Sequence, residues 1–259
     1  MIPLIAVAHG SRDPRSARAV AAALAAVRDR YPELDVRLAF LDLNSPSVPQ
    51  VLDAVASEGH RQAVVVPLLL GSAFHARIDL PALLAESRNR NPHLDVVSAD
   101  ILGDDELLVA AARDNIIAAD VSPDDPTVGI ALCAVGSRRV GANASTALVT
   151  PRVLTGTGWT LGRTCFATAT EPSVESALTG SVESALTELT RSGARTLVLA
   201  PWMLAPGLLW DRACAAAGPL RDVHDVHIAA TLTDHEAVGA VIVSRYLSAV
   251  AASRSLVAA

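Results

Sequence analysis

An internal repeat constrains this chain more than its composition does. His9-Gly10-Ser11-Arg12 is echoed by Val135-Gly136-Ser137-Arg138, and Pro46-Ser47-Val48 by Pro172-Ser173-Val174, both at an offset of 126. Val66-Pro67 returns as Ala200-Pro201, now at an offset of 134. Between these landmarks Ser-Val-Glu-Ser-Ala-Leu-Thr occurs twice in tandem, at 173–179 and 181–187, and this period of 8 accounts for the slip. Each copy is long enough to bury its own core, so the repeat predicts two domains, 1–120 and 127–259. They are joined by the acidic, proline-containing stretch 119–126. The same alignment sets His9 opposite Val135, Asp42 opposite Thr168 and His75 opposite Leu209. One half carries the titratable chemistry and the other has lost it.

Within each half, apolar runs alternate with helical periodicity. Strands are expected at 2–8, 35–41, 62–70 and 94–99, then near 128–134, 159–167, 195–202 and 223–230. Helices are expected at 14–30, 47–58, 80–90 and 104–118, then near 140–154, 172–191, 207–217 and 234–250. Strands apolar on both faces belong in a parallel sheet covered by helices on both sides. The fold class is therefore α/β, two pseudo-symmetric domains with a four-stranded parallel sheet each. Eight residues do not make whole helical turns, so a duplication inside the sixth helix implies an overhang or a break near Gly180.

Composition removes several classes of function. A net charge of -6 argues against nucleic acid as a partner. Apolar runs stop short of a bilayer span, and the first residues form a strand rather than a leader, so a cytoplasmic protein without a membrane partner is expected. Cys133, Cys165 and Cys214 lack any Cys-x-x-Cys spacing, which fits reduced, buried thiols rather than a metal or cluster site. All 21 basic residues are arginine, which a GC-rich coding genome explains better than any function does.

In open parallel sheets, ligands bind beyond the carboxyl ends of the strands. That rule selects His9 after the first strand, Asp42 after the second and His75 after the third. A lone histidine at a strand end is more often a cap or a core group than a ligand, and Asp42 by itself also reads as a helix-initiating acceptor. Their joint position distinguishes them. Two imidazoles and a carboxylate make an open site that suits Fe2+ or Co2+ and holds the ion loosely. The turn amides of Gly10 and Ser11 at a helix N-terminus, with Arg12, Arg15 and Arg77 nearby, form a candidate anion site. Solvated surface arginines are the competing reading for each of the three.

The stretch Val7-Ala8-His9-Gly10-Ser11-Arg12-Asp13-Pro14-Arg15 is followed by Phe40-Leu41-Asp42 and Pro46-Ser47, then by Val66-Pro67-Leu68-Leu69-Leu70, His75 and Asp79-Leu80-Pro81. In this order these segments resemble the sirohydrochlorin chelatases, class II enzymes that insert Fe2+ for sirohaem or Co2+ for cobalamin. The resemblance covers the first half and, weakly, the second, as in the two-domain form of that family. It implies a cleft between the domains holding sirohydrochlorin, with His9 and His75 as catalytic groups and metal ligands. Asp42 stands where the family often has Glu, Phe74 would pack on the macrocycle, and Gly10, Ser11, Arg12, Arg15 and Arg77 would hold its carboxylates. The divalent metal is then a substrate, with no cofactor permanently bound, and the protein is a monomer or weak oligomer. Iron insertion is the expected reaction; cobalt insertion and a non-catalytic tetrapyrrole or metal carrier are the alternatives. Trp202, Met203, Leu208, Leu209 and Trp210 would either wall the cleft or fill the second core. A histidine phosphatase would need Arg before the first His, where this chain has Ala8.

Overall fold

The computed structural model describes residues 1–71, 79–137, 141–168 and 180–257. The first sheet has strands β1 (Leu4–Ala8), β2 (Val36–Phe40), β3 (Gln62–Pro67) and β4 (Asp95–Ser98) in the order β2-β1-β3-β4. All neighbours are parallel, with Leu4 in register with both Val36 and Val64. Every residue of β1 is buried. Because side chains alternate across a strand, Ile5 and Val7 serve one face while Leu4 and Ala6 serve the other. Helices α2 (Val48–Ser57) and α3 (Leu80–Arg90) cover the Ile5/Val7 face. Helix α1 (Pro14–Arg30) starts at its N-cap Asp13, with Pro14 at the first position where its missing N–H costs nothing. Ser47 and Gln50 cap α2 reciprocally.

The second sheet repeats the plan, with β5 (Val128–Ala134), β6 (Leu161–Phe166), β7 (Thr196–Trp202) and β8 (Asp225–Ile228) in the order β6-β5-β7-β8. The long helix expected at 140–154 is two short ones, α5 (Ala142–Ala147) and α6 (Val149–Leu154). Helix α7 (Val182–Arg191) and α8 (Leu208–Ala216) cover one face, and the four-residue α9 (Gly218–Arg221) follows α8. Cys133 and Cys165 are in register on β5 and β6 and fully buried. A hydrogen bond to Cys133 and burial push the Cys165 thiol up, and burial followed by Asp211 pushes Cys214 up to about 11. These two thiols are thus kept in their unreactive form, and Cys133 is shut away from solvent.

The compact units do not coincide with the sequence halves 1–120 and 127–259. One unit is Met1–Asp105 with Glu236–Ala259, and the other is Glu106–His235. The last helix of each half has been exchanged: α4 (Glu106–Ile117) packs on β7 and α6, and α10 (Glu236–Val257) packs on α1 and β3. The residues explain why. In α10, Val238, Val241, Ile242, Val243 and Tyr246 are buried, and Gly239 lets the helix approach Val27 of α1 so closely that a Cβ would lie 2.9 Å from its side chain. Arg245 donates to the carbonyls of Ile101 and Leu102, and the Tyr246 hydroxyl donates to the carbonyl of Ile2. Burial of such aliphatic groups contributes about 1.5–3 kcal/mol each, comparable in sum to a domain's whole net stability. At 22 residues α10 has the length of a membrane span, and these contacts account for its apolar face as a core helix.

The register slip falls at the break expected near Gly180. Helix α7 begins after Gly180, with Ser181 capping the amide of Ser184 as Ser47 caps that of Gln50. Phe166 donates to the carbonyl of Gly180 as Phe40 donates to that of Pro46. The second tandem copy is therefore the counterpart of the α2 start. The extra eight residues precede the helix, between β6 and α7, and the first copy lies outside the described residues. An insertion within a helix would rotate the apolar face by roughly 80°; placed before the cap it leaves Val182, Ala185, Leu186 and Leu189 in phase toward the core.

Candidate active site

His9 follows the last residue of β1, and Asp42 lies two residues beyond β2. Backbone bonds continue past the strands and hold the two together: Leu41 N–H donates to the Ala8 carbonyl at 2.9 Å and Asp42 N–H to the His9 carbonyl at 3.0 Å. Gly10 makes this approach possible. Its φ is +96°, and a Cβ would fall 1.8 Å from the Asp42 carbonyl oxygen. Beyond Asp42, Leu43 is exposed at φ +64° and a cis Ser45–Pro46 bond follows. A left-handed leucine is costly and is held here by its amide donating to the Asp42 carboxylate at 2.7 Å.

His9 and Asp42 line a cleft of about 380 Å³ with Leu41, Asp79, Ala82, Leu83 and Glu86. Asp79, Ala82, Leu83 and Glu86 recur at helical spacing, so one face of α3 forms a wall of the cleft. Asp79 makes no capping bond to α3, and Glu86 pairs with Arg90 at 2.6 Å. One imidazole and three carboxylates thus face this space, a field that attracts cations. Glu86 was not among the sequence candidates, although its spacing from Asp79 on a helix start could have pointed to it. His75, Phe74 and Arg77 lie outside the described residues. Among the described residues no three His, Cys, Asp or Glu groups come together closely enough to hold a metal ion.

The helix N-terminus is less open to an external anion than the sequence suggests. Asp13, buried, already places a carboxylate there: it accepts from the Arg15 amide at 2.9 Å and from Arg15 Nε at 3.1 Å. The Arg15 side-chain hydrogen bond, then its amide, holds the Asp13 carboxyl below the usual carboxylate range. The Ser11 hydroxyl accepts from the Asp13 amide, and the Ser11 amide donates to Asn44 Oδ1 at 2.7 Å. Arg15 is engaged with Asp13, whereas Arg12 is exposed.

The rim of the second sheet keeps the frame and changes the groups. Gly136 has φ +92°, Ala167 N–H donates to the Ala134 carbonyl, and Thr168 N–H donates to that of Val135. The Thr168 hydroxyl turns back onto the same Val135 carbonyl at 2.6 Å. Met203 and Trp210 belong to the buried core of this unit and Trp202 is also buried, whereas Leu209 is half-buried and Leu208 is exposed. Elsewhere His60 lies near Asp35 and Glu58, His227 bonds the Ala119 carbonyl, and His235 sits beside Asp114.

The family model described as CbiX matches residues 3–119 and again 129–249. A sirohydrochlorin cobaltochelatase from Priestia megaterium is 26% identical over 215 residues, which make up 82% of this chain and 67% of that protein. A sirohydrochlorin ferrochelatase from the same organism is 33% identical over 112 residues, 42% of this chain and 41% of that protein. The chain thus spans about two thirds of the first relative's length and well under half of the second's. Among solved structures, SirB from Bacillus subtilis with Fe3+ matches with a TM-score of 0.81 at 22% identity, over 98% of each chain. SirB from the subspecies spizizenii in complex with cobalt matches at 0.75 and 21% identity, over 95% of this chain and 94% of the other. At these identities the likeness establishes the fold.

Proposed function

The chain belongs to the CbiX family of sirohydrochlorin chelatases, and from that premise we propose that it inserts a divalent metal ion, Fe2+ in the first instance, into sirohydrochlorin. The observation that carries this reading is His9 and Asp42, bonded side by side through their backbones, on the wall of a cleft lined with carboxylates. An acidic cleft raises the local concentration of the cation and leaves an incoming ion few neutral donors. Neutral His9 offers one lone pair, which serves as ligand or base but not both at once. His9 therefore holds the ion first, with His75 as the second imidazole, and takes up a proton once the ion passes to the ring. Two pyrrolic N–H bonds break as the ring nitrogens bind the ion, and the two protons leave by His9 and solvent. Arg12 supplies positive charge for the substrate's carboxylates, while Arg15 contributes chiefly by orienting Asp13.

Imidazole and carboxylate serve Fe2+ and Co2+ alike, so the metal is decided by competition. In an anaerobic spectrophotometric assay with sirohydrochlorin, the expected result is many equivalents of metallated product per chain, with a higher kcat/KM for Fe2+ than for Co2+. Formation that stops at one equivalent would make the protein a carrier and overturn the reading. A higher kcat/KM for Co2+ would replace iron with cobalt.

A further inference from the structure

We propose that Asn44 is a positioning residue that braces the turn after His9 against the loop after Asp42, beyond their backbone bonds, and thereby tunes the affinity for the metal substrate; this rests on the chelatase reading above. Asn44 belongs to the loop after β2, yet its side chain reaches the turn after β1. Its Oδ1 accepts the Ser11 amide at 2.7 Å, and its own backbone amide donates to the Asp42 carbonyl at 2.8 Å. It is therefore bonded to the residue two after His9 and to the backbone of Asp42 itself. The same Asp42 carbonyl oxygen is the atom against which Gly10 packs. Removing the side chain takes the acceptor from the Ser11 amide and cuts the side-chain tie between the turn after His9 and the loop after Asp42, leaving only the backbone bonds between them.

The second unit supplies the contrast. There the equivalent amide, that of Ser137, also bonds an asparagine Oδ1, at 2.8 Å, but this is Asn143 in the first turn of α5, whose Nδ2 returns to the Ser137 carbonyl at 3.1 Å. The bond that ties Ser11 to the loop after β2 in the first unit is replaced in the second by one from Ser137 to the start of α5. Cross-bracing is present on the rim with His9 and Asp42 and replaced on the rim with Val135 and Thr168. Groups that orient metal-binding side chains are typically worth about 10–100-fold in affinity.

The test titrates Co2+ alone into the full-length protein and follows its visible absorption, alongside steady-state insertion. Asn44→Ala is expected to weaken Co2+ binding about tenfold and to lower kcat, leaving the KM for sirohydrochlorin unchanged. Amide exchange at Ser11 is expected to speed up. Asn44→Asp keeps the acceptor oxygen and restores slow exchange; Asn143→Ala changes neither Co2+ affinity nor turnover. Asn44→Leu, near in shape and without an acceptor, carries the same expectation as Asn44→Ala should the latter fail to fold. A folded variant without the acceptor that binds Co2+ as the parent does overturns the proposal, as does a fall in melting temperature with no other change. A parent that neither binds Co2+ nor turns over overturns the chelatase reading and this inference with it, an outcome distinct from a working parent matched by its variants.

Discussion

The two rims share a backbone and differ in side chains. Leu41 to Ala8 and Asp42 to His9 in one unit correspond, bond for bond, to Ala167 to Ala134 and Thr168 to Val135 in the other. Both turns pass through a left-handed glycine. What differs is polar function: His9 against Val135, Asp42 against Thr168, and an asparagine brace from the loop after β2 against one from the start of α5. The frame is thus a requirement of the fold, and the polar side chains His9 and Asp42 stand on one copy of it. A residue that the second rim retains serves architecture, and one that it lacks is a candidate for catalysis.

Substitutions at matched positions of the two rims test this division. The largest effect is expected at the shared glycine. Gly10→Ala sets a methyl 1.8 Å from a backbone carbonyl, whereas at Gly136 the nearest atom is the Thr168 hydroxyl at 2.7 Å, which a rotation can move aside. Both substitutions incur the strain of a positive φ, about 1–3 kcal/mol, and Gly10→Ala adds at least about as much again in overlap. Denaturant titration should rank them in that order, and equal losses would show that the interlock at Asp42 is not special. Next, Asp42→Ala should weaken Co2+ binding about 10–100-fold, with a loss of stability from the released Leu43 amide, while Thr168→Ala leaves binding as it was. Matching effects at the two positions would remove the asymmetry.

The smallest effect concerns acid stability. Asp13 has a folded pKa below its unfolded value, which lies near 4. Its contribution is fully present above that unfolded value and is lost as pH falls through the folded one. Asp13→Asn keeps the cap and removes the charge, so its melting temperature should fall less steeply than the parent's below about pH 4. Parallel acid limbs would show that the Arg15 pair adds nothing.

Strand positions and sheet type were legible because β1 and β5 are apolar on both faces, as only a strand covered on both sides can be. The helix exchange was not. The apolar stripe of α10 says that it is buried, not against which sheet, and the contacts of Arg245 and Tyr246 that decide the matter reach more than 140 residues back. The duplication pointed to a break near Gly180 but not to which tandem copy starts the helix, because the two copies are identical; the Ser184 amide on the Ser181 hydroxyl and the Phe166 amide on the Gly180 carbonyl select the second. At the site, His9 and Asp42 were readable from strand ends, and the structure brings them together. Asn44 was not, since nothing local marks a side chain that crosses between loops. Arg15 showed a cation near the rim without showing that Asp13 had already taken it.

If one rim of the two carries the reaction, the decisive comparison is His9→Ala against Val135→Ala in the sirohydrochlorin insertion assay. The expected result is a loss of at least about 100-fold for His9→Ala with the melting temperature preserved. Val135→Ala should keep a rate within about twofold of the parent, as expected for a position away from the chemistry. An insertion rate left intact by His9→Ala, or lowered equally by both substitutions, would contradict a single catalytic rim.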